Sequence, residues 1–281
     1  MTYFGSSKFS VFCLNELKAL DCLPDLIITT PDMPTGRGLK LTPNPVRNWA
    51  NENKVECLTP DKLNLDFLNQ LQAKKSNLFL VASYGKIIPK IILDIPKYGT
   101  LNIHPSLLPK YRGPSPLQEQ ILNDEKNVGV TIMLMDEKVD HGPIIAQKKI
   151  TLPKWPIKFE ELKKILAKEG ANQFTYTIND WMTGKLTPVE QNHSEATFTK
   201  KVLKTDGLID IENGDPYKNF LKFLAYSTWP QTYFFIEKNN KKIRVIIKNA
   251  KFNDGQLEIL QVLPEGKKEM SYTDFLNGLK N

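Results

Sequence analysis

The chain has 281 residues, 41% hydrophobic and 25% charged, which suits a folded protein with one large domain and a smaller one. Its longest apolar runs, such as residues 78–82, are far too short to span a bilayer, and no basic-then-apolar leader is visible. Cys13, Cys22 and Cys57 have neither a disulfide framework nor metal-ligand spacing, so a cytoplasmic protein with free thiols and no metal is expected.

In chain order, Tyr3-Phe4 predicts a strand entering the Gly5-Ser6-Ser7 turn, and Ser7 is placed to cap a helix over 8–19. Leu26-Ile27-Ile28-Thr29 predicts a second strand. Residues 31–42 carry too much Pro and Gly for regular structure and are expected as a loop. Asn44-Pro45 is a cap followed by a first-turn proline, opening a helix to about residue 53. A strand over 54–57, an amphipathic helix over 63–73 and a fully apolar strand over 78–82 follow. That strand ends at Ser83-Tyr84-Gly85. The run 99–103 predicts the next strand, with a helix over 115–124 and a strand over 128–135 behind it. Residues 158–183 predict a long amphipathic helix. After a polar, irregular stretch, Tyr233-Phe234-Phe235-Ile236, Ile243-Arg244-Val245-Ile246-Ile247 and Leu257-Glu258-Ile259-Leu260 predict strands separated by Asn- and Gly-rich turns.

Apolar strands alternating with helices imply an α/β, Rossmann-like, mostly parallel sheet, in which ligands sit beyond the carboxyl ends of the strands. Strands at about ten-residue spacing imply a small β-barrel or sandwich at the C-terminal end. The expected division is a catalytic domain over 1–184, a linker over 185–205 and a β domain over 206–281. The net charge of +7 is moderate, but its placement is uneven. Arg37, Lys40 and Arg47 flank the Pro/Gly loop, while Lys238, Lys241, Lys242, Arg244, Lys248 and Lys251 crowd one later stretch. Two separated basic sites suggest a polyanion long enough to touch both.

The most informative stretch is 102–116, Asn-Ile-His-Pro-Ser-Leu-Leu-Pro-Lys-Tyr-Arg-Gly-Pro-Ser-Pro, which holds one of only three histidines. Asn102 and His104 are two apart, so in extended chain they share one side. An amide donor beside a titratable imidazole can stabilise an oxyanion and move a proton. The loop after the strand at 128–135 offers Asp136 and Asp140 as the acidic partner, and spacing does not choose between them. Ser106 has no base partner for a nucleophilic triad. His141 reads as a loop residue, His193 as solvated and Trp229 as packing the small β domain. The Gly5-Ser6-Ser7 turn lacks the glycine spacing of a dinucleotide site.

These motifs give the chain a resemblance to the folate-dependent formyltransferase family. Asn102-Ile103-His104-Pro105-Ser106-Leu107-Leu108-Pro109 with Tyr111-Arg112-Gly113 resembles its catalytic signature, and Val139-Asp140-His141-Gly142-Pro143 its Asp-containing loop. Ala82-Ser83-Tyr84-Gly85-Lys86-Ile87-Ile88-Pro89 is similar to a segment lining the folate site. The basic loop from Pro31-Asp32 through residues 35–41, Trp229-Pro230 and the segments at 264–271 and 274–276 resemble the branch whose acceptor is a charged tRNA. The resemblance implies an OB-like fold for the small β domain. It implies Asn102, His104 and Asp140 as catalytic residues, and 10-formyltetrahydrofolate as the formyl donor, without a metal. The folate would lie against Ser83, Tyr84, Gly85, Ile88, Ser106, Leu107, Leu108 and Pro109. Initiator methionyl-tRNA would be the partner, on Arg37, Lys40, Lys241, Lys242, Arg244 and Lys248. A monomer without membrane association is expected.

Overall fold

A computed structural model describes residues 1–35, 40–238 and 240–280. The chain forms two compact units, the first of residues 1–116, 127–151 and 163–199, the second of 117–126, 152–162 and 200–281. The first unit opens with β1 (Thr2–Phe4), whose Tyr3 and Phe4 are fully buried. Ser7 then caps α1 (Lys8–Ala19): its hydroxyl accepts from the Ser10 N–H, and the Ser10 hydroxyl accepts in return from the Ser7 N–H. After β2 (Leu26–Ile28) the expected loop over 31–42 is corrected. Its described ends form a short antiparallel hairpin, β3 (Met33–Thr35) with β4 (Lys40–Thr42). Composition opposes long strands there, but a two-stranded ribbon tolerates proline because one edge of each strand is unpaired.

Asn44 caps α2 (Pro45–Glu52) by accepting from the N–H groups of Val46 and Arg47, and Asn64 caps α3 (Leu65–Ala73) after β5 (Glu56–Leu58). β6 (Phe79–Val81) and the short α4 (Lys90–Leu93) lead to β7 (Thr100–His104), every residue of which is buried. Beyond α5 (Pro116–Leu122) come β8 (Val128–Leu134), β9 (Ile144–Ile150) and α6 (Phe159–Met182).

Among the described residues these strands form one seven-stranded sheet in the order β5-β2-β1-β6-β7-β8-β9. The first five are parallel, β8 pairs antiparallel with β7 and β9 antiparallel with β8, so β8 alone is reversed and the sheet is mostly parallel as expected. Phe4, Phe79 and Tyr84 pack ring to ring at 5.3 and 5.4 Å, with Ile28, Leu71 and Ile92 fully buried around them. Each such side chain contributes roughly 1.5–3 kcal/mol of burial free energy. This core holds β6 and β7 rigidly beneath whatever their carboxyl ends present.

In the second unit α7 (Pro216–Ala225) packs on an antiparallel sheet of β10 (Tyr233–Lys238), β11 (Lys241–Asn253), β12 (Gln256–Pro264) and β13 (Met270–Ser271). Helix α8 (Tyr272–Lys280) covers β12 and β13. Trp229, expected to pack this unit, is instead 54% exposed. No helix among the described residues is long and apolar enough to cross a membrane.

Candidate active site

β7 carries Asn102 and His104 on one face, and both are nearly buried, at 7 and 4% exposure. His104 Nε2 lies 2.9 Å from the Tyr111 carbonyl oxygen. A carbonyl only accepts, so Nε2 carries a proton and donates it to Tyr111. Nδ1 faces the Asp140 carboxylate at 3.6 Å, an electrostatic separation rather than a hydrogen bond. Asp140 Oδ1 also accepts from Asn102 Nδ2 at 3.3 Å, and Oδ2 accepts from the Gly113 N–H at 2.7 Å. The structure therefore brings Asn102, His104 and Asp140 to one point. Asp136 is directed elsewhere, to His141 Nδ1 at 2.6 Å.

Asp140 reaches this point by a route different from the one a parallel sheet implies. β8 is antiparallel to β7, with Asn102 opposite Met133 and His104 opposite Thr131, so the end of β8 lies near the start of β7. The loop leaving β8 is closed at its base by the Leu134 N–H donating to the Pro143 carbonyl, and it folds back until Asp140 faces Asn102. Gly142 makes that return possible: a Cβ there would lie 2.0 Å from the Leu134 carbonyl oxygen. Positive φ values collect around the site, at Ser83 (54°), Tyr111 (62°) and Asp140 (49°). Such backbone strain persists only where neighbouring bonds over-determine it.

The signature loop after His104 is tied down in the same way. Ser106 is fully buried, its hydroxyl donating to the Lys110 carbonyl at 2.7 Å, so it holds the turn and is no nucleophile. Thr131 of β8 donates to the Ser106 carbonyl and accepts from the Leu108 N–H, while Gln147 of β9 donates to the Leu108 carbonyl. Gly113 takes φ +112°, with Thr199 so near that a Cβ would lie 2.8 Å from its hydroxyl oxygen.

Arg112 is 2% exposed. Its Nε and Nη2 donate to Gln191 Oε1 at 3.1 and 2.6 Å, and Nη2 also lies 2.9 Å from His193 Nδ1. Desolvation lowers the Arg112 pKa, while the Asp140 and Asp136 charges oppose that. Because a guanidinium only donates, His193 Nδ1 is an acceptor; His193 is exposed as expected and also binds Arg112. Its ring stacks on His141 at 4.1 Å and 11°. Desolvation, then the positive charges of His141 and Arg112, hold His193 below the usual imidazole range. Gln191 closes the cluster, its Nε2 donating to the Asp140 and Gly142 carbonyls.

Sequence spacing gives no sign of Gln191, since its partners lie 49–79 residues away. A usable signal existed in the length of the irregular stretch around it, because a long loop without regular structure in a compact unit is unusual. Residues of that stretch bind the site loop directly: Thr197 accepts from the Tyr111 and Arg112 N–H groups, and the Thr199 N–H donates to the Arg112 carbonyl.

The remaining predicted residues divide by exposure. Tyr84 and Ile88 point into the core, at 2 and 5% exposure, and burial pushes the Tyr84 hydroxyl up to about 12. The Tyr84 oxygen Oη finds no hydrogen-bond partner among the described residues. Ser83 and Gly85 are exposed. Leu108 is buried, while Leu107 and Pro109 are half-buried. Arg37 lies outside the described residues, Lys40 opens β4, and Arg47 is paired with Asp32 at 2.9 Å. In the second unit Lys242 lies over the Phe235 ring at 4.5 Å and Arg244 over the Tyr233 ring at 3.8 Å. Strand alternation places Lys242 and Arg244 on one face of β11 and Lys241 on the other, while Lys248 is the extra residue at a bulge.

A family model described as Formyl transferase matches residues 11–177. The chain is 36% identical to the methionyl-tRNA formyltransferase of Carboxydothermus hydrogenoformans, over 100% of this chain and 96% of that one. The chain belongs to the methionyl-tRNA formyltransferase family. The fold agrees with two solved structures. The methionyl-tRNA formyltransferase from Clostridium thermocellum superposes with TM-score 0.61 at 20% identity, over 89% of this chain and all of that one. HypX from Aquifex aeolicus, solved in complex with tetrahydrofolic acid, superposes with TM-score 0.63 at 17% identity, over 99% of this chain and 47% of that one.

Proposed function

We propose that this protein is a cytoplasmic enzyme that transfers the formyl group of 10-formyltetrahydrofolate to the amino group of methionine on initiator methionyl-tRNA. The observation that carries the reading is the meeting of Asn102, His104 and Asp140. Asp140 Oδ1 lies 3.3 Å from Asn102 Nδ2 and 3.6 Å from His104 Nδ1, at the end of a strand in a chain collinear with named methionyl-tRNA formyltransferases. Formyltransferases of this family use folate-derived donors, and a fold neighbour holds tetrahydrofolic acid.

The amine lone pair attacks the formyl carbon and the carbonyl π pair moves onto oxygen. The Asn102 amide has two N–H groups and gives one to Asp140, leaving the other for the oxyanion. With Nε2 engaged by Tyr111, His104 meets the reactants through Nδ1, donating to the oxyanion when protonated. The Asp140 carboxylate, facing His104 Nδ1 at 3.6 Å, takes part in moving the ammonium proton. Collapse breaks the bond from the formyl carbon to the folate nitrogen, whose released pair takes up a proton. Ser83 and Gly85, which are exposed, and Leu107 and Pro109, which are half-buried, are the donor contacts, and Lys242, Arg244 and Lys248 the tRNA contacts, with Lys242 and Arg244 on one face of β11.

The test is formylation of charged initiator tRNA beside free methionine, uncharged tRNA and an amino-sugar nucleotide. Only the charged tRNA should be formylated at a useful rate. Preferred formylation of the sugar nucleotide would move the assignment to that acceptor class.

A further inference from the structure

Gln191 uses all of its hydrogen-bonding capacity inside the first unit while being 5% exposed. Its two N–H groups donate to the Asp140 carbonyl at 3.1 Å and the Gly142 carbonyl at 2.7 Å. Its carbonyl oxygen accepts twice from Arg112, at 3.1 and 2.6 Å. The peptide joining Arg112 to Gly113 supplies the N–H that binds the Asp140 carboxylate at 2.7 Å. The bonds close into a ring: Asp140 carboxylate, Gly113 N–H, Arg112 guanidinium, Gln191 amide, and back to the Asp140 carbonyl. Asp140 stands at φ +49°, a backbone conformation that needs such external support.

We propose that Gln191 is a positioning residue for the formyl transfer, fixing the backbone at the Asp140 and Gly142 carbonyls so that the Asp140 carboxylate stays opposite Asn102 and His104. This rests on the catalytic reading of Asp140 given above. No charge or neighbouring imidazole replaces the device. His193 binds Arg112 from the other side and meets the Asp140 loop by stacking on His141, a contact to a side chain that leaves the Asp140 and Gly142 carbonyls to Gln191, and the Asp136–His141 pair joins the cluster through the same stacked rings. A glutamate would keep the acceptor half toward Arg112 but lose both donors toward the loop. A leucine of similar size would lose both halves.

The experiment measures kcat, KM for each substrate and thermal unfolding for Gln191→Glu and Gln191→Leu, in the wild-type and the Asp140→Asn backgrounds. In the wild-type background each should lower kcat roughly 10- to 100-fold, the scale on which a displaced catalytic group costs rate, with both KM values little changed. In the Asp140→Asn background the same substitutions should add almost nothing, because a residue acting through Asp140 has nothing left to position. Equal fold-losses in both backgrounds would overturn the proposal and leave the catalytic reading standing. Wild-type kcat in folded Gln191→Leu would overturn it too. Wild-type turnover in Asp140→Asn itself would instead remove the catalytic reading, and this proposal with it. Gln191→Glu keeps the tie to Arg112, so it serves as the folded reporter should the leucine variant unfold.

Discussion

The polar groups around Asp140 and the cations of the β10–β11 hairpin are held in opposite ways. Asp140 accepts from Asn102 and Gly113, and its backbone is bound by Gln191, with little of the cluster open to water. Lys241 and Lys242 are exposed, and Lys242 rests on Phe235 without a carboxylate partner among the described contacts. Buried polar groups gain geometry from their partners and lose much when one is removed. Exposed cations act through a screened field to which each contributes a small, similar amount. The first arrangement suits chemistry at one point, the second attraction along a polyanion.

The contrast breaks most visibly if single changes at the buried cluster are tolerated. Asn102→Ala and Asp140→Asn should each lower kcat by roughly 10²-fold or more, with tRNA affinity nearly unchanged, as measured by steady-state formylation and direct binding. Asp136→Asn should leave kcat near wild type, since Asp136 serves His141 and not His104. If Asp136→Asn slows the reaction as much as Asp140→Asn, the acidic partner has been assigned wrongly.

Next in size is Gly113→Ala. The new Cβ would lie 2.8 Å from the Thr199 hydroxyl and 2.9 Å from its carbonyl oxygen, at a φ of +112°. Chemical denaturation should show a loss of about 1–3 kcal/mol, accompanied by slower turnover as the N–H leaves Asp140. Unaltered stability would mean that the loop at Thr199 yields freely.

At the other pole, neutralising Lys242, Arg244 and Lys248 should leave kcat intact at saturating tRNA. Each lost phosphate contact should flatten the dependence of log affinity on log salt by about 0.7–0.9. Initiator and elongator tRNA should weaken alike, because phosphate contacts position without specifying. A changed kcat with an unchanged salt slope would remove the distinction between the two regions. Lys241, on the opposite face of β11, is the internal control.

The smallest effect is assigned to Tyr84→Phe. Removing a buried hydroxyl without a partner should leave stability unchanged or raise it by up to about 1 kcal/mol. A raised KM for the folate donor would show that the hydroxyl meets that ligand.

Local chemistry was legible in the sequence wherever one residue decides one feature. Ser7 and Asn44 cap the helices expected after them, and Asn102 and His104 share a strand face as their spacing requires. Direction was not legible: residues 128–133 are buried throughout, which reads equally well as a parallel or an antiparallel strand. Strand β9 escaped because Gln147, Lys148 and Lys149 interrupt its apolar pattern. The ties made by Gln191 and Thr197 join segments far apart in sequence, and no local period encodes such pairs. A polar stretch that looks like a connector thus holds the site together.

The central claim is that formyl transfer occurs at the point where Asn102, His104 and Asp140 meet. Single-turnover formylation of charged initiator tRNA by His104→Ala, with enzyme in excess and tRNA binding measured in parallel, tests it most directly. The account predicts a chemical step slowed by roughly 10²-fold or more at unchanged tRNA affinity. A wild-type rate in folded His104→Ala protein would contradict it.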